Sequence, residues 1–206
     1  MDERSKAEAA ATPSPPEVRA SVRPARPGDA GDLAVFVDLA SHGLARSFWA
    51  GLAEPGEDLL AVGRRRAARD EGAFSWRNAL VAEVGGAVAG GMVAYRIGTT
   101  PQPVEDAPPV ARPLITLENA ALGSWYVNVL ATHPRLRGRG VARALLDRAV
   151  ADAGGTAVSL IVADGNRDAR RLYARAGFAE AERRPIVKDG WETEDADWIL
   201  MLRPPA

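Results

Sequence analysis

The run Val127-Asn-Val-Leu-Ala-Thr-His-Pro-Arg-Leu-Arg-Gly-Arg-Gly-Val141 holds the most chemistry in this sequence. Its apolar residues predict a strand over 125–131, Pro134 ends it, and an amphipathic helix is predicted from about 140 to 153. Gly138 and Gly140 let backbone N–H groups approach a ligand closely. The helix start adds unpaired N–H groups and the positive end of its dipole, and Arg135, Arg137, Arg139 and Arg143 add charge. Such an arrangement suits a pyrophosphate. A Walker loop would need Gly-Lys-Ser/Thr, which is absent, and a dinucleotide fingerprint would need a glycine where Arg143 stands.

A third reading is the pattern R-x-x-G-x-G, present as Arg135-Leu-Arg-Gly-Arg-Gly140. Downstream, Asn166, Ala169, Leu172, Tyr173, Gly177 and Phe178 follow N-x-x-A-x-x-L-Y-x-x-x-G-F. The two motifs in this order resemble the GNAT N-acetyltransferases. The resemblance spans about residues 18–203, is specific over 127–178 and is looser over the N-terminal helices. It implies an α/β single domain, a mixed and mostly antiparallel sheet of about six to seven strands with helices on both faces and splayed central strands. It also implies acetyl-CoA as co-substrate and an amine acceptor, a small molecule or a peptide. In the family the cofactor arm lies along the fourth strand, here Val129, Leu130, Ala131 and Thr132, where it pairs as an added strand would. The loop Leu136, Arg137, Gly138, Arg139, Gly140 and Val141 would cradle the pyrophosphate, with Arg137, Arg139 or Arg143 at the 3′-phosphate. Asn166 would contact the arm near its thiol end. Tyr173 would protonate the departing thiolate, a role that suits a phenol protonated at neutral pH.

Around these motifs the elements read in order. Residues 1–17, rich in Ala, Glu and Pro, predict a disordered tail, and residues 18–206 the domain. A strand is expected over 18–23, then three helices over about 33–40, 45–52 and 57–70. Two strands, 78–84 and 87–97, flank a Gly85-Gly86 hairpin turn. Residues 98–113, with five prolines, read as a loop and a candidate lid over the acceptor. A strand over 156–163, a helix over 166–176 closed by Gly177, and strands over 179–187 and 198–202 complete the chain.

The balance of 26 basic against 27 acidic residues, net −1, argues against a nucleic-acid binder and against a relative that acetylates charged tRNA. Without cysteine there is no disulfide, thiolate metal site or cysteine nucleophile, and two histidines make no metal set. No apolar run reaches the length of a membrane span, so a cytoplasmic protein is expected. The resemblance also admits a homodimer.

The general base is the open point. Ser124-Trp125-Tyr126 stand where many relatives carry a Glu. Glu118, a few residues upstream, is a candidate base or acceptor contact beside its reading as a solvated loop residue, and His42 is an alternative. The missing carboxylate supports a rival reading, a non-catalytic or weakly catalytic acyl-CoA-binding module. Acidic residues 189, 192, 194, 195 and 197 would draw a cationic amine if they line the acceptor mouth, or form a solvated hairpin loop. Arg64-Arg65-Arg66 reads as an exposed helix face or a phosphate contact.

Overall fold

The computed structural model describes residues 20–205; the expected tail at 1–17 and the first residues of the expected first strand lie outside them. Seven strands form one sheet in the order β1-β2-β3-β4-β5-β7-β6. They are β1 (Ser21–Pro24), β2 (Ala79–Val84), β3 (Ala87–Arg96), β4 (Trp125–Thr132), β5 (Val158–Ala163), β6 (Ala179–Pro185) and β7 (Asp197–Arg203). Only β4 and β5 run parallel; the other neighbours are antiparallel. Six helices accompany them: α1 (Ala30–Ala40), α2 (Leu44–Ala50), α3 (Leu59–Ala67), α4 (Arg112–Asn119), α5 (Val141–Asp152) and α6 (Arg167–Arg175).

Helices cover both faces. On one, Val141, Leu145, Leu146 and Ala149 of α5 and Tyr173 of α6 pack with Met92, Val127 and Leu160. On the other, Leu33 and Val37 of α1, Trp49 of α2 and Val62 of α3 cover Val81, Val93 and Val129. Leu117 of α4 joins Tyr126, Trp191, Trp198 and Leu200 in a third apolar cluster.

The expected elements are present with adjusted ends. The Gly85-Gly86 turn has φ of 61° and 81°, as a tight hairpin requires, and Gly177 follows α6 at φ 89°. The third helix starts at Leu59 rather than 57, because Asp58 accepts the Leu60 N–H at 3.3 Å and caps it. One element was not expected. Residues 112–119, next to the proline-rich run, form α4, with Pro113 in the first turn, where its missing N–H costs nothing. Glu118 is therefore half-buried on a helix rather than in a solvated loop.

Two glycines of β3 let both layers close on the sheet beside β4. A side chain at Gly90 would meet Val141 Cγ1 at 2.6 Å and the Ala131 carbonyl at 2.8 Å; one at Gly91 would meet the Phe36 ring at 2.5 Å. Gly90→Ala is expected to destabilise the fold by about 1–3 kcal/mol through overpacking against backbone that cannot yield. Urea unfolding would show this as a lower midpoint at unchanged slope.

Candidate active site

The site begins at an irregularity of β4. Its pairing with β3 skips Asn128, since Val93 faces Val129 and Ala94 faces Val127. This bulge resets the alternation of the strand. Val127 points into the α5 layer and Val129, two residues on, into the α1 layer. Asn128 Nδ2 donates to the Tyr95 hydroxyl at 2.8 Å. Beyond the bulge β4 leaves β5, for the two pair only through 125–127 and 158–160. The splayed central strands expected from the sequence are thus present.

A cleft of about 340 Å³ fills the gap. Of the expected site residues, Leu130, Ala131, Thr132, Arg137, Asn166 and Tyr173 line it, together with His42 and Trp198. Val129 is buried in the opposite layer, and Leu136, Gly138, Arg139, Gly140 and Val141 lie outside the cleft lining, on the loop and helix start that follow β4. Gly138 and Gly140 both have φ of 76°, and nothing lies within 4 Å of where a side chain would sit on either. Gly140 caps α5 without a side-chain acceptor, so the first N–H groups of that helix face outward. The arginine cluster is smaller than the sequence suggests. Arg143 pairs with Asp147 and Arg148 with Asp152, each at 2.8 Å, whereas Arg135, Arg137 and Arg139 have no acidic partner among the described residues.

These features fit an extended phosphorylated co-substrate bearing amides. Two parted strand edges offer backbone groups, the glycine loop offers N–H groups and open space, and three arginines offer charge. Thr132 Oγ1 and Trp198 Nε1 are buried without partners in residues that line the cleft.

Tyr173 lines the cleft, 8% exposed, with its ring tilted against Phe178 at 6.0 Å. Burial pushes its hydroxyl up to about 12.

His42 stands across the cleft in the turn between α1 and α2. Its φ of 52° is the one positive value among the described non-glycine residues. Two contacts hold it: its carbonyl accepts from Trp191 Nε1 at 3.3 Å, and its Nε2 lies 3.2 Å from Asn166 Nδ2. Asn166 Oδ1 is already committed as the cap of α6, accepting the Ala169 N–H at 3.2 Å. The amide therefore presents its donor to His42, and Nε2 accepts. Outside His42 a second opening of about 530 Å³ is lined by Asp168, Arg171, Glu194 and Asp195 among others.

Other candidates lie elsewhere. Glu118 is not among the residues that line the cleft; burial raises its carboxyl above the ordinary range, while the nearby Tyr126 hydroxyl and Gln102 Nε2 oppose the rise. Tyr126 packs edge-on against Tyr95, whose hydroxyl accepts from Asn128, a residue that lines the cleft. The expected lid, 98–113, does not border the cleft; Pro108 and Val110 line a different cavity. The acidic stretch divides: Asp197 pairs with Arg183 at 3.1 Å, Asp189 joins that other cavity, and only Glu194 and Asp195 reach the opening beside His42. Trp191 and Trp198 stack at 5.8 Å and 4°.

Residues 42–178 match the model of the Acetyltransferase (GNAT) family. The chain belongs to the GNAT acetyltransferase family. Members transfer acetyl groups from acetyl-CoA to amine acceptors. The solved structures similar to this GNAT protein include an N-acetyltransferase from Staphylococcus aureus Mu50, at 20% identity and TM-score 0.60 over 88% of this chain and 99% of that one. Another is histone acetyltransferase HPA2 and related acetyltransferase from Corynebacterium glutamicum ATCC 13032, at 22% and 0.61 over 91% and 97%. The NatC complex bound to Gag peptide and CoA aligns at 16% and 0.52 over 91% and 99%. At these identities the likeness shows the fold. No curated protein sequence matches this chain. Among the described residues no helix is long and apolar enough to cross a membrane, and no group of His, Asp and Glu could hold a metal.

Proposed function

We propose that this GNAT protein is an acetyl-CoA-dependent N-acetyltransferase acting on a primary amine of a small molecule or peptide, by direct attack in a ternary complex, from one domain over 18–206. The observation that carries the reading is the parting of β4 from β5 beyond 127 and 160, ending at the arginine-glycine loop that starts α5. When bound, acetyl-CoA supplies an acetyl group activated as a thioester. Val129, Leu130, Ala131 and Thr132 offer backbone groups to its amides. Leu136, Arg137, Gly138, Arg139, Gly140 and Val141 hold the pyrophosphate, and Asn166 contacts the arm. The NatC complex, bound to CoA and the Gag peptide, supports the same co-substrate and a peptide as one acceptor class.

Two side chains move protons. The amine nitrogen bonds to the acetyl carbon as the carbon–sulfur bond breaks. Tyr173 Oη gives its proton to the leaving sulfur, and His42 Nε2 takes the proton that the amine releases. His42 is chosen over Glu118 because it lines the cleft, where its Nε2 lone pair, now facing Asn166 Nδ2, passes to the amine proton as that contact gives way. Glu118, which does not line the cleft and hydrogen-bonds with Tyr126, is left with a positioning role through the Tyr126–Tyr95 cluster. Glu194 and Asp195 at the outer opening favour the approach of a cationic amine. With no cysteine in the chain, no acetyl thioester forms on the enzyme through cysteine.

The test is thiol release from acetyl-CoA across a panel of amines, followed with a thiol reagent. The chain adds no thiol background. One thiol per amine acetylated is the expected result. A melting temperature raised by acetyl-CoA with no thiol from any amine would favour the binding module, and no rise at all would refute both readings.

A further inference from the structure

The arginine run of α3 is not a uniform solvated face. Arg64 is exposed, and Arg65 pairs with Glu57. Arg66 instead shares the inner face with Val62, Gly63 and Ala67, the buried residues of the helix, and is half-buried. Among the described residues it has no acidic partner. It lines a cavity of about 730 Å³, about twice the cleft between β4 and β5. The other walls are apolar, chiefly Val37, Phe48, Trp49, Leu52, Phe74 and Val110. Phe48 and Leu52, 37% and 50% exposed, are two of the three large apolar side chains left open to solvent among the described residues, and both belong to this cavity. Asp189 borders it too but makes no ion pair with Arg66. The turn between α1 and α2 separates the lining sets: His42 lines the cleft, Ala45 this cavity.

A guanidinium drawn partly out of water without a counter-ion is costly. Burial and the neighbouring Arg69 bring Arg66 below its usual range, while it remains a cation. Its planar fork matches a carboxylate in two-pronged geometry. A phosphate would match the fork as well, but its further charge would have to be desolvated against mostly apolar walls and beside the Asp189 carboxylate.

We propose that this cavity is a second binding site, for a small molecule with an apolar body and one carboxylate received by Arg66. The occupant is chosen by charge complementarity: one unpaired cation in an apolar, aromatic-walled space. The site is independent of the acetyl-transfer reading.

The experiment titrates the full chain with 3-phenylpropanoate and with 3-phenylpropan-1-ol, its neutral counterpart, by calorimetry. The carboxylate should bind about tenfold or more tightly than the alcohol, as a charged hydrogen-bonded pair implies. Arg66→Met keeps the apolar stem and should remove that preference; Arg66→Lys should restore part of it. An unchanged melting temperature in Arg66→Met separates lost recognition from lost folding. Equal affinity for the two probes, binding of neither, or a preference that survives in Arg66→Met would overturn the proposal. If Arg66→Met fails to fold, equal affinity of the native chain for the two probes still refutes it.

Discussion

Tyr173→Phe is expected to lower turnover by about 10²–10⁴-fold while leaving the affinity for acetyl-CoA near that of the native protein. The size follows from the place of the hydroxyl. The ring is packed between α6 and the sheet against Phe178, so the substitution removes one oxygen and leaves the apolar contacts intact. Burial holds the group up to about 12, so it keeps its proton across neutral pH and can give it only to a stronger base formed beside it. A thiolate leaving group formed in the cleft beside it would be such a base. In the proposed reading, binding of the co-substrate rests on backbone groups of β4 and the loop before α5, so loss of the phenol oxygen leaves it in place. Steady-state kinetics at saturating acetyl-CoA, with calorimetry for the affinity, checks both halves. Unchanged turnover would remove Tyr173 from the chemistry and leave it a packing residue.

The parts of the site that the sequence disclosed are those whose backbone conformation demands a residue type. Gly138 and Gly140 need positive φ and free space, Gly177 needs positive φ after α6, and Asn166 supplies the cap of that helix. Each leaves its mark at a fixed spacing, so the strand, loop and helix of both motifs could be placed. The helix α4 could not, because five prolines in 98–113 read as a loop and Pro113 hides the helix start it in fact favours. Glu118 was misread with it. The bulge at Asn128 left no sequence mark either: a skipped residue looks the same as a paired one until its partner strand is known. His42 was visible only as a lone histidine. What sets it apart is the company of Asn166 and Trp191, 124 and 149 residues away in the chain. The inward turn of Arg66 likewise depends on which side of α3 meets α2.

His42→Gln carries the second large expectation, a fall in turnover of about 10²-fold or more near neutral pH. Glutamine can still accept from Asn166 through Oε1, so the contact that spans the cleft is kept, but it takes no proton. Three features argue for this residue as the base. Its Nε2 is an acceptor, because the capping bond to Ala169 fixes the Asn166 amide. Its backbone is held at φ 52°, a conformation disfavoured for a side chain and retained where the surroundings insist on it. The remaining acid at the cleft, Asp168, is exposed and paired with Arg171. The basicity of the amine distinguishes a base from a prop. A variant without the base depends on amine that arrives already uncharged, so weakly basic amines are rescued first. Arg167, Asp168, Arg171, Glu194 and Asp195 face the same opening, which makes Glu194→Gln the control: it should weaken capture of a cationic amine without the rescue by weakly basic amines. A lower rate in His42→Gln that falls equally for strongly and weakly basic amines would assign His42 to positioning alone and return the search for the base to a water held at Asn128.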